Sequence, residues 1–369
     1  MLSRDNDNFF ILWLRSLDKV ILVLLILWIF LGIVFASYTT LNFASTKLYD
    51  NPNTLVNKYY LFIFFGSLII FLTSVFNEDF FKHTSKYLFF SSLILLLLTL
   101  VVGLEVKGSK RWINLIFFNL QPIELVKPTM ILLFASIFSS NKNFIFKFIS
   151  TGIITFSVIF ILLLQPDYTQ GLLVLTIWFT LLFMSGINLF VIISLAFSSI
   201  VILVLNLFIF KDKFYYIFNR FDSWIGSNDI SYQSERSLDA IQYGGFFGRG
   251  IGEGVLKEKI PEAHTDYVLA SIGEEYGIVT IILVLIIVFS LFMRVFAICQ
   301  NEISGFKKYT LVSLSTLMLL QVFINVGVTI NLFPSTGMTF AFLSYGGSSI
   351  ITSAFMIGVV LAFTREQNK

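Results

Sequence analysis

The sequence predicts an all-α polytopic membrane protein of about ten transmembrane helices, with a large extracytoplasmic loop between helices seven and eight. Three observations carry that expectation. Of the 369 residues, 57% are hydrophobic and only 13% charged, with a mean hydropathy of +0.87, whereas a soluble domain is roughly a quarter charged. Runs of about 18 or more residues almost without charge recur from end to end, each long enough at about 1.5 Å per residue to cross about 30 Å of hydrocarbon. Lysine and arginine fall mainly in alternate connections between those runs, as in proteins with a fixed orientation in a bilayer.

Residues 1–19 carry both signs of charge and are expected to be a cytoplasmic segment. No short apolar core with a small-residue cleavage site follows them, so the run 20–41 reads as a first membrane helix that stays attached. Further runs occupy 59–76, 87–104, 124–140, 145–164, 170–186, 188–210, 266–298, 307–333 and 341–363. Backbone groups in lipid must be satisfied within their own segment, so these runs are helices. Residues 20–363 are thus one transmembrane domain and 364–369 a cytoplasmic tail. With the amino terminus inside, twelve basic residues fall on the inner side, among them Arg15, Lys82, Lys147, Arg294, Lys307 and Arg365. Five fall in the short outer loops: Lys47, Lys58, Lys107, Lys110 and Arg111. The long segment 211–264 then faces the exterior, and its clustered glycines and mixed charges predict a folded cover.

A formal charge of +3 spread over many loops predicts no nucleic-acid partner. Cys299 is the single cysteine, so no disulfide forms within the chain. The alternate glycines of 248–254 lack the Gly-Lys-Ser/Thr ending and preceding strand of a nucleotide loop. The 44 phenylalanines are read as lipid-facing and interhelical packing.

Charge inside apolar helices costs several kcal/mol unless paired or hydrated, and polar residues concentrate in four outer clusters. The first joins Arg111, Trp112 and Asn114 to Gln121-Pro122-Ile123-Glu124 and Lys127. Lys127 lies one turn beyond Glu124 on the same face, which suits either an intrahelical pair or a cationic site, shared with Arg111, for a phosphorylated lipid. The second, Gln165-Pro166-Asp167, is a turn-forming sequence in which Asp167 either caps or meets a ligand. The third, Pro261-Glu262-Ala263-His264-Thr265-Asp266, precedes an apolar run and is followed by Glu274 and Glu275. Asp266 there is either a helix cap or a general base whose pKa is raised by apolar surroundings. The fourth comprises Asn325, Asn331, Pro334 to Thr339 and Ser344 to Ser349. Its small residues suit close helix approach, or a broken half-helix whose N–H groups receive a pyrophosphate.

In this order and spacing the four clusters resemble the shape, elongation, division and sporulation (SEDS) family of bacterial cell-wall synthesis. The likeness runs along nearly the whole chain and is most specific over 248–275 and 325–349. The stretches 261–266 and 334–339 resemble the division type more than the elongation type. The resemblance implies an inverting glycosyltransferase of the inner membrane, at the division septum with both termini cytoplasmic, that polymerises lipid II into β-1,4-linked glycan. It places the essential acid on Asp266, the basic residues on Arg111 and Lys127, and the Gln-Pro-x-Glu acid on Glu124. Asp167, His264, Glu275, Asn325, Ser344 and Ser348 join Glu124 as expected substrate contacts. Expected partners are lipid II, the undecaprenyl-pyrophosphate-linked glycan, a class B penicillin-binding transpeptidase and other division proteins. No cofactor is expected, a divalent cation near Asp167, Asp266, Glu274 and Glu275 staying open. Ile123 and Thr169-Gln170-Gly171 depart from the family pattern. A lipid II flippase and a non-catalytic subunit of the division complex are the rival readings.

Overall fold

The computed structural model describes residues 9–36, 53–106, 109–115, 118–209 and 232–365. The chain is a multi-pass membrane protein whose helices present a broad apolar surface, including Phe64, Ile153, Phe160, Ile286 and Phe289, far more than a water-soluble surface tolerates.

Helix α1 (Phe9–Ser16) meets α2 (Lys19–Phe35) at 98°. Asp18 makes the corner. Its carboxylate accepts from the N–H groups of Val20 and Ile21, both at 3.0 Å, and pairs with Arg294 at 2.8 Å. Helices α3 (Thr54–Val75) and α4 (Glu78–Val102) follow. A three-stranded antiparallel meander, β1 (Leu104–Val106), β2 (Ser109–Leu115) and β3 (Phe118–Leu120), then leads into α5 (Pro122–Phe138). Helices α6 (Phe144–Leu164), α7 (Tyr168–Met184) and α8 (Leu189–Ile209) come next. Beyond them lie α9 (Tyr232–Gly244), α10 (Val268–Tyr276), α11 (Ile278–Gln300), α12 (Gly305–Thr329) and α13 (Gly347–Phe363).

The core is built by α13 along α3, α4 along α5, α2 against α11, and α5 and α7 against α12. Small residues permit the closest of these approaches: a Cβ on Gly358 would lie 1.7 Å from Thr73 Oγ1.

The ten-helix expectation fails. Among the described residues five helices are long and apolar enough to span, Thr54–Val75, Glu78–Val102, Phe144–Leu164, Ile278–Gln300 and Gly305–Thr329, or six if the bent α1–α2 pair is one span. The apolar runs misled for three reasons. Helices α5, α7 and α13 have 17 residues each, below the roughly 20 that a span requires. The run 266–298 is broken at Gly277, leaving α10 outside the span. Of the run 20–41, α2 covers up to Phe35 and 37–41 lie outside the described residues, while in the run 188–210 the apolar helix counted covers only Leu189–Ile202. The polar connection before α5 is a sheet, which periodicity did not foretell.

The segment expected as an outer cover is partly described, 210–231 lying outside. From Tyr232 onward it folds as α9 and a glycine-rich turn that grips the end of α10. The Glu274 carboxylate, fully buried, accepts from the N–H groups of Val255, Leu256 and Lys257, each at 2.7 Å. Glu275 pairs with Lys257. Gly277 has φ +84°, and a Cβ there would lie 2.2 Å from the Phe246 carbonyl oxygen and 2.5 Å from the Gly248 nitrogen. Both obstacles are main chain and cannot swing aside. Gly277→Ala is expected to lower stability by about 1–3 kcal/mol; an unchanged thermal midpoint in detergent would contradict this packing.

Candidate functional site

The site is assembled where the meander, the start of α5, the α6–α7 turn and the segments before α10 and α13 converge. Pro122 opens α5 at a position where its missing N–H leaves nothing unsatisfied, and Glu124 follows in the first turn. Lys127, fully buried, donates to Glu124 Oε1 and to Gln170 Oε1, both at 2.8 Å. Gln170 Nε2 donates in turn to Glu124 Oε1 at 3.0 Å. The three groups close a buried triangle that uses two of the three N–H donors of the lysine. Sequence reasoning left Gln170 out of the site. Its only signal was a polar residue in the first turn of an apolar helix, and that turn was where the family pattern broke.

Arg111 reaches from β2 to the α6–α7 turn. Its Nε donates to the Gln165 carbonyl at 3.0 Å, its Nη2 to the Pro166 carbonyl, and Asp167 Oδ2 lies 3.6 Å away. The turn is anchored from below by Gln165 Nε2, which donates to Thr99 Oγ1 and, at 3.3 Å, to the Leu96 carbonyl of α4. Burial pushes the Asp167 carboxyl above the ordinary carboxylate range, and the Arg111 guanidinium pulls it partly back. Both cations are therefore already faced by acids, Lys127 by Glu124 and Arg111 by Asp167.

Asp266 lies half-buried in the turn two residues before α10, outside the helix, and Tyr267 occupies the cap position. Its main-chain carbonyl accepts from Asn325 Nδ2 at 3.0 Å, and the same amide donates to the Met338 carbonyl at 2.7 Å. Ser344 Oγ donates to the Thr265 carbonyl at 2.6 Å and accepts from the Phe340 N–H at 2.9 Å, while the Tyr345 N–H donates to the His264 carbonyl at 2.9 Å. His264 packs its ring 6.2 Å from that of Tyr345, and burial lowers its pKa. Ser348 Oγ accepts from the Gln121 N–H at 3.0 Å and donates to the Asn119 carbonyl at 2.9 Å, joining α13 to the start of α5.

Met338 and Glu124 line one small cleft of about 40 Å³, with Trp112, Gln121, Gln321 and Ser348 in its walls. Direct contacts thus lead from the Asp266 main-chain carbonyl through Asn325 and Met338 to the cleft, and from the cleft through Glu124 to Lys127. Arg111 adjoins it as the β2 neighbour of Trp112. Glu275 is not part of this constellation: its carboxylate holds Lys257 beneath the glycine-rich turn. Among the described residues no group of three or more His, Cys, Asp or Glu side chains gathers as metal ligands.

An apolar groove of about 830 Å³ opens sideways between α4, α6, α7 and α8. Phe156, Phe160, Leu100 and Trp178 line it, and at one end it reaches Leu164, the residue before the Gln165-Pro166 turn that holds Arg111.

Comparison with known proteins identifies the family and the fold. The profile of the FtsW, RodA and SpoVE cell cycle proteins matches residues 18–369. The chain is 31% identical over 362 residues to the "Probable peptidoglycan glycosyltransferase FtsW" of Trichlorobacter lovleyi, covering 94% of this chain and 93% of that one. It is 31% identical over 379 residues to a protein of the same description from Buchnera aphidicola subsp. Acyrthosiphon pisum, covering 98% and 91%. A chain of a peptidoglycan synthase complex shares the fold with a TM-score of 0.78 at 24% identity, over 94% of this chain and 97% of that one. The Thermus thermophilus rod shape determining protein RodA does so at 0.69 and 24%, over 96% and 99%. The chain belongs to the FtsW/RodA/SpoVE family of cell cycle proteins, the SEDS family.

Proposed function

We propose that the chain is an inverting peptidoglycan glycosyltransferase that polymerises lipid II at the outer face of the cytoplasmic membrane during division. The observation that carries the reading is the contact chain from Asp266 through Asn325 and Met338 to the cleft that Glu124 and Lys127 adjoin. The relatives named as peptidoglycan glycosyltransferases support the reaction class. The acceptor is the 4-hydroxyl of N-acetylglucosamine in lipid II. Its oxygen bonds to the anomeric carbon of the donor sugar as the bond from that carbon to the undecaprenyl pyrophosphate oxygen breaks, and its proton passes to Asp266. One displacement turns the α-linked donor into a β-1,4 linkage, so no covalent nucleophile is needed. Arg111, and Lys127 through its third N–H, stabilise the charge that collects on the departing pyrophosphate. The lateral groove accepts the prenyl chain and brings its head to the Arg111 turn. A class B transpeptidase is the proposed partner at the septum, both termini being cytoplasmic.

The test is polymerisation of labelled lipid II by the purified protein, alone and with its cognate transpeptidase. Glycan strands of β-1,4 linkage are expected. Bidirectional movement of lipid II across vesicles without polymer would replace the reading with that of a flippase.

A pyrophosphate arriving at Arg111 competes with Asp167, and a buried carboxyl with a raised pKa yields most readily by taking up a proton. Binding of undecaprenyl pyrophosphate is therefore expected to weaken as pH rises through the raised pKa of Asp167. In Asp167→Asn that component disappears, leaving only the titration of the phosphates. Parallel pH profiles of parent and variant would rule the competition out.

A further inference from the structure

At the end of the bundle away from the cleft, the α1–α2 corner, the α3–α4 turn, the start of α12 and the end of α13 enclose a pocket of about 400 Å³. Its walls include Ser16, Asn77, Glu78, Asp79, Lys307 and Arg365. Nothing in the proposed glycosyl transfer uses it. Lys307 is only 8% exposed, yet among the described residues its ammonium has no hydrogen bond or ion pair. Its charge is therefore available to a ligand that enters the pocket. Arg365 commits Nη2 to the carbonyls of Val75 and Phe76, both at 3.1 Å, and to Asn77 Oδ1 at 3.2 Å. Its Nη1 has no partner among the described residues. On the acidic side Glu78 receives Ser304 Oγ on one oxygen only, and the exposed Asp79 carboxylate has no partner among the described residues.

The four charged groups are two cations and two carboxylates. A purely anionic ligand would meet the acids, and a simple cation would meet Lys307 and Arg365. A ligand carrying both signs a few atoms apart satisfies all four. The pocket sits where spans α3, α4 and α12 end or begin, at head-group depth, and Ser16 in its wall ends α1, whose Phe9, Phe10 and Leu12 are exposed beside it. Trp13 Nε1 donates to Ser74 Oγ at 3.0 Å and fixes α1 against α3. A helix so placed lays its apolar side chains into the adjoining lipid.

We infer that this pocket binds the head group of an aminophospholipid from the leaflet on its own side, the phosphate on Lys307 and Arg365 and the primary ammonium on Asp79 and Glu78. A bound lipid would tie together the ends of α3, α4, α12 and α13. The inference does not depend on the proposed reaction, because its readout is lipid binding.

The test is native mass spectrometry of the full-length protein, freed of co-purified lipid in detergent. It is titrated with phosphatidylethanolamine, phosphatidylglycerol and phosphatidylcholine of identical acyl chains. Phosphatidylethanolamine is expected to bind about tenfold more tightly than either of the others, the worth of one charge-assisted hydrogen bond. Phosphatidylglycerol has no ammonium, and the quaternary ammonium of phosphatidylcholine cannot donate. Asp79→Asn, at an exposed position, is expected to remove the advantage over phosphatidylglycerol. Lys307→Met is expected to weaken all three lipids by about tenfold. Equal binding of the three lipids, a preference for phosphatidylglycerol, or a lipid order unchanged in Asp79→Asn would overturn the inference.

Discussion

Asp266→Asn is expected to abolish glycan polymerisation by the purified protein, a fall of about 10²–10⁴ in rate, the range supplied by a positioned general base. The substitution is a sharp one because the turn is held by the main chain. Asn325 donates to the Asp266 carbonyl oxygen, and Ser344 and Tyr345 hold the two preceding residues by their carbonyls. An asparagine side chain leaves all three bonds in place and keeps the shape of the carboxyl while removing its basicity. Thermal stability should therefore stay near that of the parent, and lipid II binding should persist. Equal polymer from parent and variant would remove Asp266 from the mechanism. Asn325→Leu gives the complementary result: activity falls because the turn is released, and stability falls with it by about 1–3 kcal/mol.

The second large effect is expected at Lys127. Replacing it with methionine keeps most of the buried volume but leaves the Glu124 carboxylate, 7% exposed, facing only Gln170. Removing one partner of a buried ion pair costs about 3–5 kcal/mol. Lys127→Met should melt well below the parent in detergent. The double variant Lys127→Met, Glu124→Gln removes both charges of the pair and should regain most of that loss. If the lysine only holds α5 together, the double variant also regains polymerase activity. If it supports the departing pyrophosphate, the double variant folds and stays inactive. The two measurements separate a packing role from a chemical one, which neither single variant does.

Much of the molecule was legible because hydropathy and local chemistry act over short range. The runs that became α3, α4, α6, α11 and α12 are long and poor in charge, and each contains a helix able to span. Glu124 and Lys127 could be placed on one face from their spacing alone, and the structure finds them paired. What the runs did not reveal was what surrounds a helix. An apolar run reads alike whether it faces lipid or protein, so the 17-residue helices α5, α7 and α13 were counted as spans. Gly277 gave no break signal within the run 266–298, its role visible only once the Phe246 carbonyl stood against it. Glu275 looked like a ligand group because acids near an apolar helix invite that reading, whereas its partner Lys257 lies 18 residues earlier, beyond any local rule. Gln170 was missed for the same reason. Its bonds to Lys127 and Glu124 cross 43 and 46 residues, and nothing adjacent to it announces them.

Fourteen of the 17 residues of α5 are buried, Glu124 and Lys127 among them. During synthesis such a segment makes a poor passenger by itself: with its neighbours still unmade, each charge would oppose partition from the translocon into lipid, by up to the roughly 2.5–3.5 kcal/mol of a charge at a helix centre. The Lys127 partner Gln170 emerges from the ribosome later, and α12, against which α5 packs, later still. Biogenesis should therefore hold α5 in a sheltered, provisional position until the carboxyl-terminal half arrives, so that truncation before α12 leaves a chain open to membrane quality control.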